Sequence, residues 1–147
     1  MAITATIERK TEDAWIQSLQ ARDDLAGITI RRASDADVEV VYPCIIVNGG
    51  TTGISPMFQN TQVDAVLVDL VAMTYIPDDR DAAIVDGLIG AIRDLFISET
   101  ILTELSGVNN YTARGVVQDG DTFSDDERNI RRRTITIKTI GVAQDAA

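Results

Sequence analysis

The segment from Gln62 to Ile76 constrains the fold of this chain more than any other part of the sequence. It is rich in aliphatic and β-branched residues, which favours a strand. Successive side chains of a strand point to opposite faces of a sheet. One face therefore receives Val63, Ala65, Leu67, Val71 and Met73, and the other receives Val66, Val68, Leu70 and Ala72. A strand that is apolar on both faces is covered on both. One helix covers one face, so we expect another element or another subunit on the second; an ordinary two-layer core with a covered back explains the pattern nearly as well.

The remaining periodicities predict an α+β fold in the order α-β-β-β-α-β-β. We expect a mostly antiparallel sheet of about four to five strands with helices packed on one side. Thr11 is the predicted cap of the first helix and Gly27 its stop. Pro43 removes a donor, so a strand there should be an edge, carry a bulge or break. The expected segments are strands at Ile28–Arg32, Val38–Val47, Gln62–Ile76, Tyr111–Gln118 and Arg132–Ala143, a helix that Asp78–Asp81 opens and that runs to about Phe96, and loops at 48–53 and 119–129.

Length and composition favour one globular domain over residues 1–147. The hydrophobic fraction of 45% is that of a protein with a buried core. We expect residues 144–147 to form a disordered tail. The N-terminus lacks the pattern of a cleaved signal peptide, and Asp64 and Asp69 interrupt the longest apolar stretch, so we expect no membrane association.

The net charge of -10 argues against specific binding of nucleic acid, which an acidic surface repels. It is compatible with a passive channel, whose negative wall would keep a polyanion from adhering.

The residue inventory excludes several kinds of active site. The chain has no histidine and one cysteine, Cys44, so Ser-His-Asp catalysis, His-ligated zinc and a CxxC redox pair are impossible within one chain. Cys44 lies among apolar residues, and we expect a buried small hydrophobe. We therefore predict no catalytic residues, no cofactor and no resident metal.

The acidic segment 119–129 is the strongest remaining candidate for chemistry. Its carboxylates could hold Ca²⁺ or Mg²⁺, and a metal-dependent hydrolase is the enzymatic alternative. An EF-hand is excluded because Ser124 replaces the turn glycine and Ile130 the closing glutamate. A solvated hairpin tip is the interpretation we prefer. The carboxylates concerned are Asp119, Asp121, Asp125 and Glu127.

Clustered charges at the last predicted hairpin are candidates for a subunit interface. Neighbouring strand residues point to opposite faces, so three consecutive arginines cannot form one basic patch. Two of them could face acids of an adjacent subunit; pairing within their own hairpin is the alternative. The candidates are Arg131, Arg132 and Arg133 with Asp119, Asp121, Asp125, Asp126 and Glu127.

The layout as a whole resembles tail terminator and tail-to-head joining (neck) proteins of tailed bacteriophages. The resemblance is carried by the short N-terminal helix, Tyr42–Val47, the strand Val63–Tyr75, the helix Arg80–Phe96, the strand that begins at Tyr111, and Arg133–Lys138. It implies a structural virion protein, assembled in the host cytoplasm, that forms a ring, typically a hexamer. Such a ring caps the tail tube, so the implied partners are further copies of the chain, the tail tube protein and head–tail connector proteins. The other alternative is a non-enzymatic adaptor of another complex.

Overall fold

The computed structural model describes residues 6–34, 41–51, 57–58, 61–107, 110–125 and 129–144. These residues form α-helices and a single sheet, joined by short 3₁₀ turns at Asp23–Leu25 and Ile76–Asp78. The helices are α1 (Ile7–Gln20), α2 (Ala83–Phe96) and α3 (Ile101–Leu105). The strands are β1 (Thr29–Arg32), β2 (Cys44–Thr51), β3 (Met57–Phe58), β4 (Thr61–Tyr75), β5 (Tyr111–Asp125) and β6 (Ile130–Gln144).

The sheet confirms the α+β class but differs from the prediction in detail. It is a mixed sheet of six strands in the order β1-β2-β4-β6-β5, with β3 beside β4. β1 and β2 are parallel, and the other pairs are antiparallel. The expected strand number and element order are not confirmed, because β3 and α3 are too short to produce a detectable period. The predicted long strand is confirmed as β4, which pairs with β2 on one side and with β6 on the other.

The helices of the described residues pack on one face of the sheet, where they enclose the main core. Within β4 the alternation is strict, since Val66, Val68, Leu70 and Ala72 are all fully buried on this face. Helices α1 and α2 contribute six further large side chains to this core, which are Ile7, Trp15, Leu19, Ile89, Ile92 and Leu95.

Helix α1 begins earlier than predicted. Thr6 is its N-cap, because the Thr6 side chain accepts a hydrogen bond from the Arg9 amide at 3.2 Å. Thr11 lies inside the helix, where its buried hydroxyl donates to the Ile7 carbonyl at 2.7 Å. The helix ends at Gln20, and Gly27, with φ of 82°, follows the 3₁₀ turn rather than the helix. The predicted cap and stop were therefore both wrong.

Two predicted loops belong in part to strands. Residues 48–51 continue β2, which starts at Cys44 directly after Pro43. Residues 119–125 continue β5, whose register reaches the pair Asp125↔Arg131. Arg93 of α2 and Arg133 of β6 face Asp121, so the charge of this carboxylate does not oppose strand pairing. Residues 52–53 and 126–128 lie outside the described residues.

The predicted C-terminal tail starts one residue too early. Gln144 is the last residue of β6 and pairs with Thr61. Residues 145–147 lie outside the described part of the chain. Within the described residues, no helix is long and apolar enough to cross a membrane.

Candidate assembly surface

None of the described helices packs on the other side of the sheet, which we call the open face. Side chains alternate between the two faces along a strand, so the register places every second side chain of each strand on this face. Leu67 and Val71 of β4 lie on it half-buried, next to Lys138 and Thr134 of β6. The second apolar row of the long strand, which the sequence predicted to need a cover, is therefore covered only in part: Leu67 and Val71 are half-buried, whereas Met73 is buried.

Burial on the open face differs between its two ends. At one end Cys44, Met73 and Ile130 form a small second cluster with Tyr42, Ile46 and Val71 packed against it. At the other end the apolar side chains stay in solvent: Val117 is 58% exposed and Ile140 is 38% exposed. In the middle, the Thr136 hydroxyl donates to the Asp69 carboxylate at 2.6 Å.

Cys44 confirms the prediction of a buried small hydrophobe. Its side chain is fully buried, and burial raises the pKa of the thiol from 9.0 to about 11. The nearby Arg31 opposes this shift weakly. A thiol with so high a pKa is a packing residue and a poor nucleophile.

Strand β5 forms one edge of the sheet. It has 15 residues and pairs with β6 alone among the described strands. Irregularities interrupt its register between Ala113 and Gly115 and between Gln118 and Gly120. Phe123, near the end of the strand, is 56% exposed. A long edge with exposed apolar side chains is a template for further strand pairing, while its bulges restrict which strand can be added.

The three arginines predicted as interface candidates point to different faces of the sheet, as strand alternation requires. Arg132 lies on the open face, whereas Arg131 and Arg133 point toward the helices. Arg131 donates to the Asp79 carbonyl, and its Nη1 lies 3.9 Å from Asp79 Oδ2. Arg133 lies 3.0 Å from the Asp86 carboxylate and 3.5 Å from that of Asp121. Two of the three arginines therefore have acidic partners within their own chain.

The predicted acidic candidates are only partly brought together. Asp121 faces the helices, where its carboxylate lies 2.6 Å from Arg93 of α2 and 3.5 Å from Arg133. Asp119 and Asp125 belong to β5, and Asp126 and Glu127 lie outside the described residues. No group of three or more acidic, cysteine or histidine residues that could hold a metal ion occurs among the residues described.

Buried charges on the helix side join α1 to the other end of the sheet. Arg32 of β1 forms ion pairs with Asp13 and with Glu12, the latter at 3.5 Å. Burial raises the pKa of Glu12, while a hydrogen bond from the Gly49 amide and the charge of Arg32 oppose the rise. The sequence showed these charges, but the partners are far apart in the chain and no local spacing indicated the pairing.

Comparison with known proteins adds no identification: no protein-family model matches the chain, and no curated protein matches it either.

Proposed function

We propose that this chain is a structural subunit that joins copies of itself into a closed ring, as the tail terminator and neck proteins that it resembles do. The ring would cap a phage tail tube and connect it to the head. Its neighbours would be the tail tube protein and head–tail connector proteins, within the virion. The proposal assigns the chain no catalytic activity.

A single observation carries this proposal: one sheet combines a partly apolar face, on which none of the described helices packs, with a long edge strand. Val117 belongs to both features, because it lies on the open face and in β5. Exposed apolar side chains such as Val117 and Ile140 on one face of a sheet are candidates for contact with another protein. A contact between two different patches of identical subunits is head-to-tail. Such contacts form a closed ring when the rotation from one subunit to the next divides a full turn into a whole number of steps.

The charge of the chain is consistent with the proposed ring. A net charge of -10 leaves the surface predominantly acidic. A lumen with such a wall would let DNA pass without adhering. Apart from the two bulges of β5, the open face is less acidic than the chain as a whole, since the charged residues that the register places on it are Arg31, Asp69, Arg132 and Lys138.

A pair of matched lysine substitutions tests whether this surface makes the contact. Val117→Lys places a charge on the open face at the β5 edge, where lysine blocks strand addition and apolar packing. Ile97→Lys is the control, because Ile97 is 71% exposed at the end of α2 and the charge change is the same. We expect Ile97→Lys to keep the native particle mass and Val117→Lys to lose it. Equal assembly of the two variants would contradict the use of this surface.

A further inference from the structure

A small pocket opens at the end of the sheet where β4 leads into α2. Its lining includes four aromatic or apolar residues and two carboxylates, which are Tyr42, Pro43, Tyr75, Ile84, Asp78 and Asp79. Its volume of about 20 Å³ admits one group of the size of a water molecule. Tyr75 and Ile84 are each 40% exposed, so the apolar part of the lining is accessible. The pocket is therefore suited to a small polar group that is carried on an apolar stem.

The two carboxylates of the pocket differ in what they already bind. Asp79 is 2% exposed, and its carboxylate accepts hydrogen bonds from two amides of α2 and from the Thr74 hydroxyl. Arg131 lies 3.9 Å from it, so the charge of Asp79 is compensated within the chain. Asp78 is exposed and forms no hydrogen bond or ion pair with a described residue. Arg80 follows in the chain but does not line the pocket, so Asp78 gives the pocket one uncompensated negative charge.

Lys138 is the complementary group on the open face. It lies between Leu67 and Val117, its partners in the register of β4 and β5. Its ammonium group forms no hydrogen bond or ion pair with a described residue. Asp69, a carboxylate of the same face, is bonded to a threonine hydroxyl of β6 instead. The other lysine of the chain, Lys10, is buried, so Lys138 is the lysine that can reach another molecule.

Lys138 and the pocket cannot meet within one subunit. Lys138 pairs with Leu67, and Tyr75 lies eight residues further along β4. A strand rises about 3.4 Å per residue, so about 27 Å separate the lysine from the pocket. That distance is far beyond the reach of a side chain. A contact between them therefore requires two copies, and because it joins two different surfaces it is head-to-tail.

Charge and size together indicate a second copy as the occupant of the pocket. Outside the bulges of β5, the register gives the open face three basic residues and one acid, namely Arg31, Arg132 and Lys138 against Asp69. An acidic pocket is complementary to such a surface. An ammonium group is compact, whereas the guanidinium of arginine is a wide planar fork. A pocket of about 20 Å³ favours the ammonium group, and so favours Lys138 over the two arginines.

We propose that Lys138 of one copy enters this pocket of the next copy. The inference rests on the proposed self-assembly and names the second surface of the contact. The ammonium group forms an ion pair with Asp78 and lies against the tyrosine rings of the pocket, where cation–π attraction adds to the ion pair. Val117, beside Lys138, packs against the exposed side chains of Tyr75 and Ile84. Each copy then contributes the open face to one neighbour and the pocket to the other.

Exchanging the two charges tests the contact. Lys138→Asp and Asp78→Lys should each lose the native particle mass in light scattering, because each places like charges in contact. The double variant with both substitutions restores opposite charges and should regain the particle. Asp78 forms no bond within the described chain, so circular dichroism should show an unchanged subunit fold. A double variant that stays dissociated although it is folded would overturn the proposal.

The matched control separates this contact from the proposed ring itself. Glu99→Lys makes the same charge change at an exposed acid outside both surfaces, and it should keep the particle. A wild type that assembles, with Asp78→Lys assembling equally well, would overturn this contact and leave the ring standing. A wild type that stays monomeric would overturn the ring and this contact with it.

Cross-linking of the unaltered protein supplies a measurement that no folding defect affects. A carbodiimide joins an amine to a carboxylate that touches it and adds no atoms. In a mixture of ¹⁴N- and ¹⁵N-labelled protein, we expect a product that links Lys138 of one label to Asp78 of the other. Products that link Lys138 only to other carboxylates would overturn the proposal.

Discussion

The indole N–H of Trp15 donates a hydrogen bond to Thr139 Oγ1 at 3.0 Å, which joins α1 to the centre of the sheet. Both residues are fully buried. Thr139→Val keeps the shape but leaves the indole N–H without an acceptor, so we expect a loss of about 1–3 kcal/mol of unfolding free energy. Urea unfolding at fixed protein concentration measures it. Thr134→Val, the same change on the open face of β6, should stay within about 0.5 kcal/mol of the wild type. Similar losses in both variants would assign the effect to strand propensity instead.

Asp79 organises the start of α2. Its buried carboxylate accepts hydrogen bonds from the amides of Ile84 and Val85 at 2.7 and 3.1 Å and from the Thr74 hydroxyl at 2.9 Å. Asp79→Ala leaves these donors unpaired and removes the carboxylate beside Arg131, so we expect a loss of about 3 kcal/mol. The measurement is chemical unfolding, with the exposed Asp78→Ala as control. A loss below about 1 kcal/mol would mean that water replaces the carboxylate.

Position 141 requires glycine because the ring of Tyr111 occupies the space that a side chain would need. A Cβ atom at position 141 would lie 2.5–2.8 Å from the Tyr111 side chain, which is itself buried and bonded to Thr11. Gly141→Ala should therefore cost about 1–3 kcal/mol through overpacking. Gly120→Ala is the matched control, because a Cβ there meets nothing within 4 Å. Thermal unfolding compares the two, and equal melting temperatures would contradict the packing described here.

Cys44 gives a pH-dependent prediction. Its thiol has a folded pKa of about 11 against an ordinary value of 9.0, so folding favours the protonated form. Its contribution to stability is complete below pH 9.0 and is lost as the pH rises toward 11. Below pH 9.0 the folded thiol also has about a hundredfold less thiolate than the unfolded one, because the pKa differs by two units.

Two measurements check the behaviour of Cys44. Alkylation by iodoacetamide at pH 8 should be at least about a hundredfold slower in the folded protein than in denaturant. Cys44→Ala should remove the part of the stability loss that begins at pH 9.0. Burial also raises the pKa of Tyr111, but Tyr111 titrates in both proteins, so its contribution cancels when the stability of the variant is subtracted from that of the wild type. Rapid alkylation of the native protein would contradict the buried position.

The sequence could predict the elements in which the hydrophobic pattern is sustained over many residues. The amphipathic helix α2 and the doubly apolar strand β4 are confirmed, because packing requires the same pattern that the sequence shows. Short elements such as β3 and α3 have no such pattern. Thr11 misled the prediction of the helix start, because its hydroxyl serves the helix interior and Tyr111 instead of a cap.

The acidic segment after Gln118 was mistaken for a loop because local charge is a weak guide to strand pairing. Within it, Asp121 is compensated by Arg93, a residue distant in the chain. The same reason explains why the sequence left open whether Arg131 and Arg133 face another subunit or pair within their own hairpin. Reversing Arg131 and Arg133 would break these ion pairs within the chain, so a loss of assembly after all three arginines are reversed would not identify a subunit contact.

The central claim is that the chain assembles with itself into a closed ring. Light scattering on a sizing column over a wide concentration range, with negative-stain images of the largest species, tests it most directly. We predict a particle of about six copies with a central opening: the resemblance to tail terminator proteins implies the number, and closed cyclic symmetry implies a fixed size. A strict monomer at every concentration, or an open chain of variable length, would contradict it.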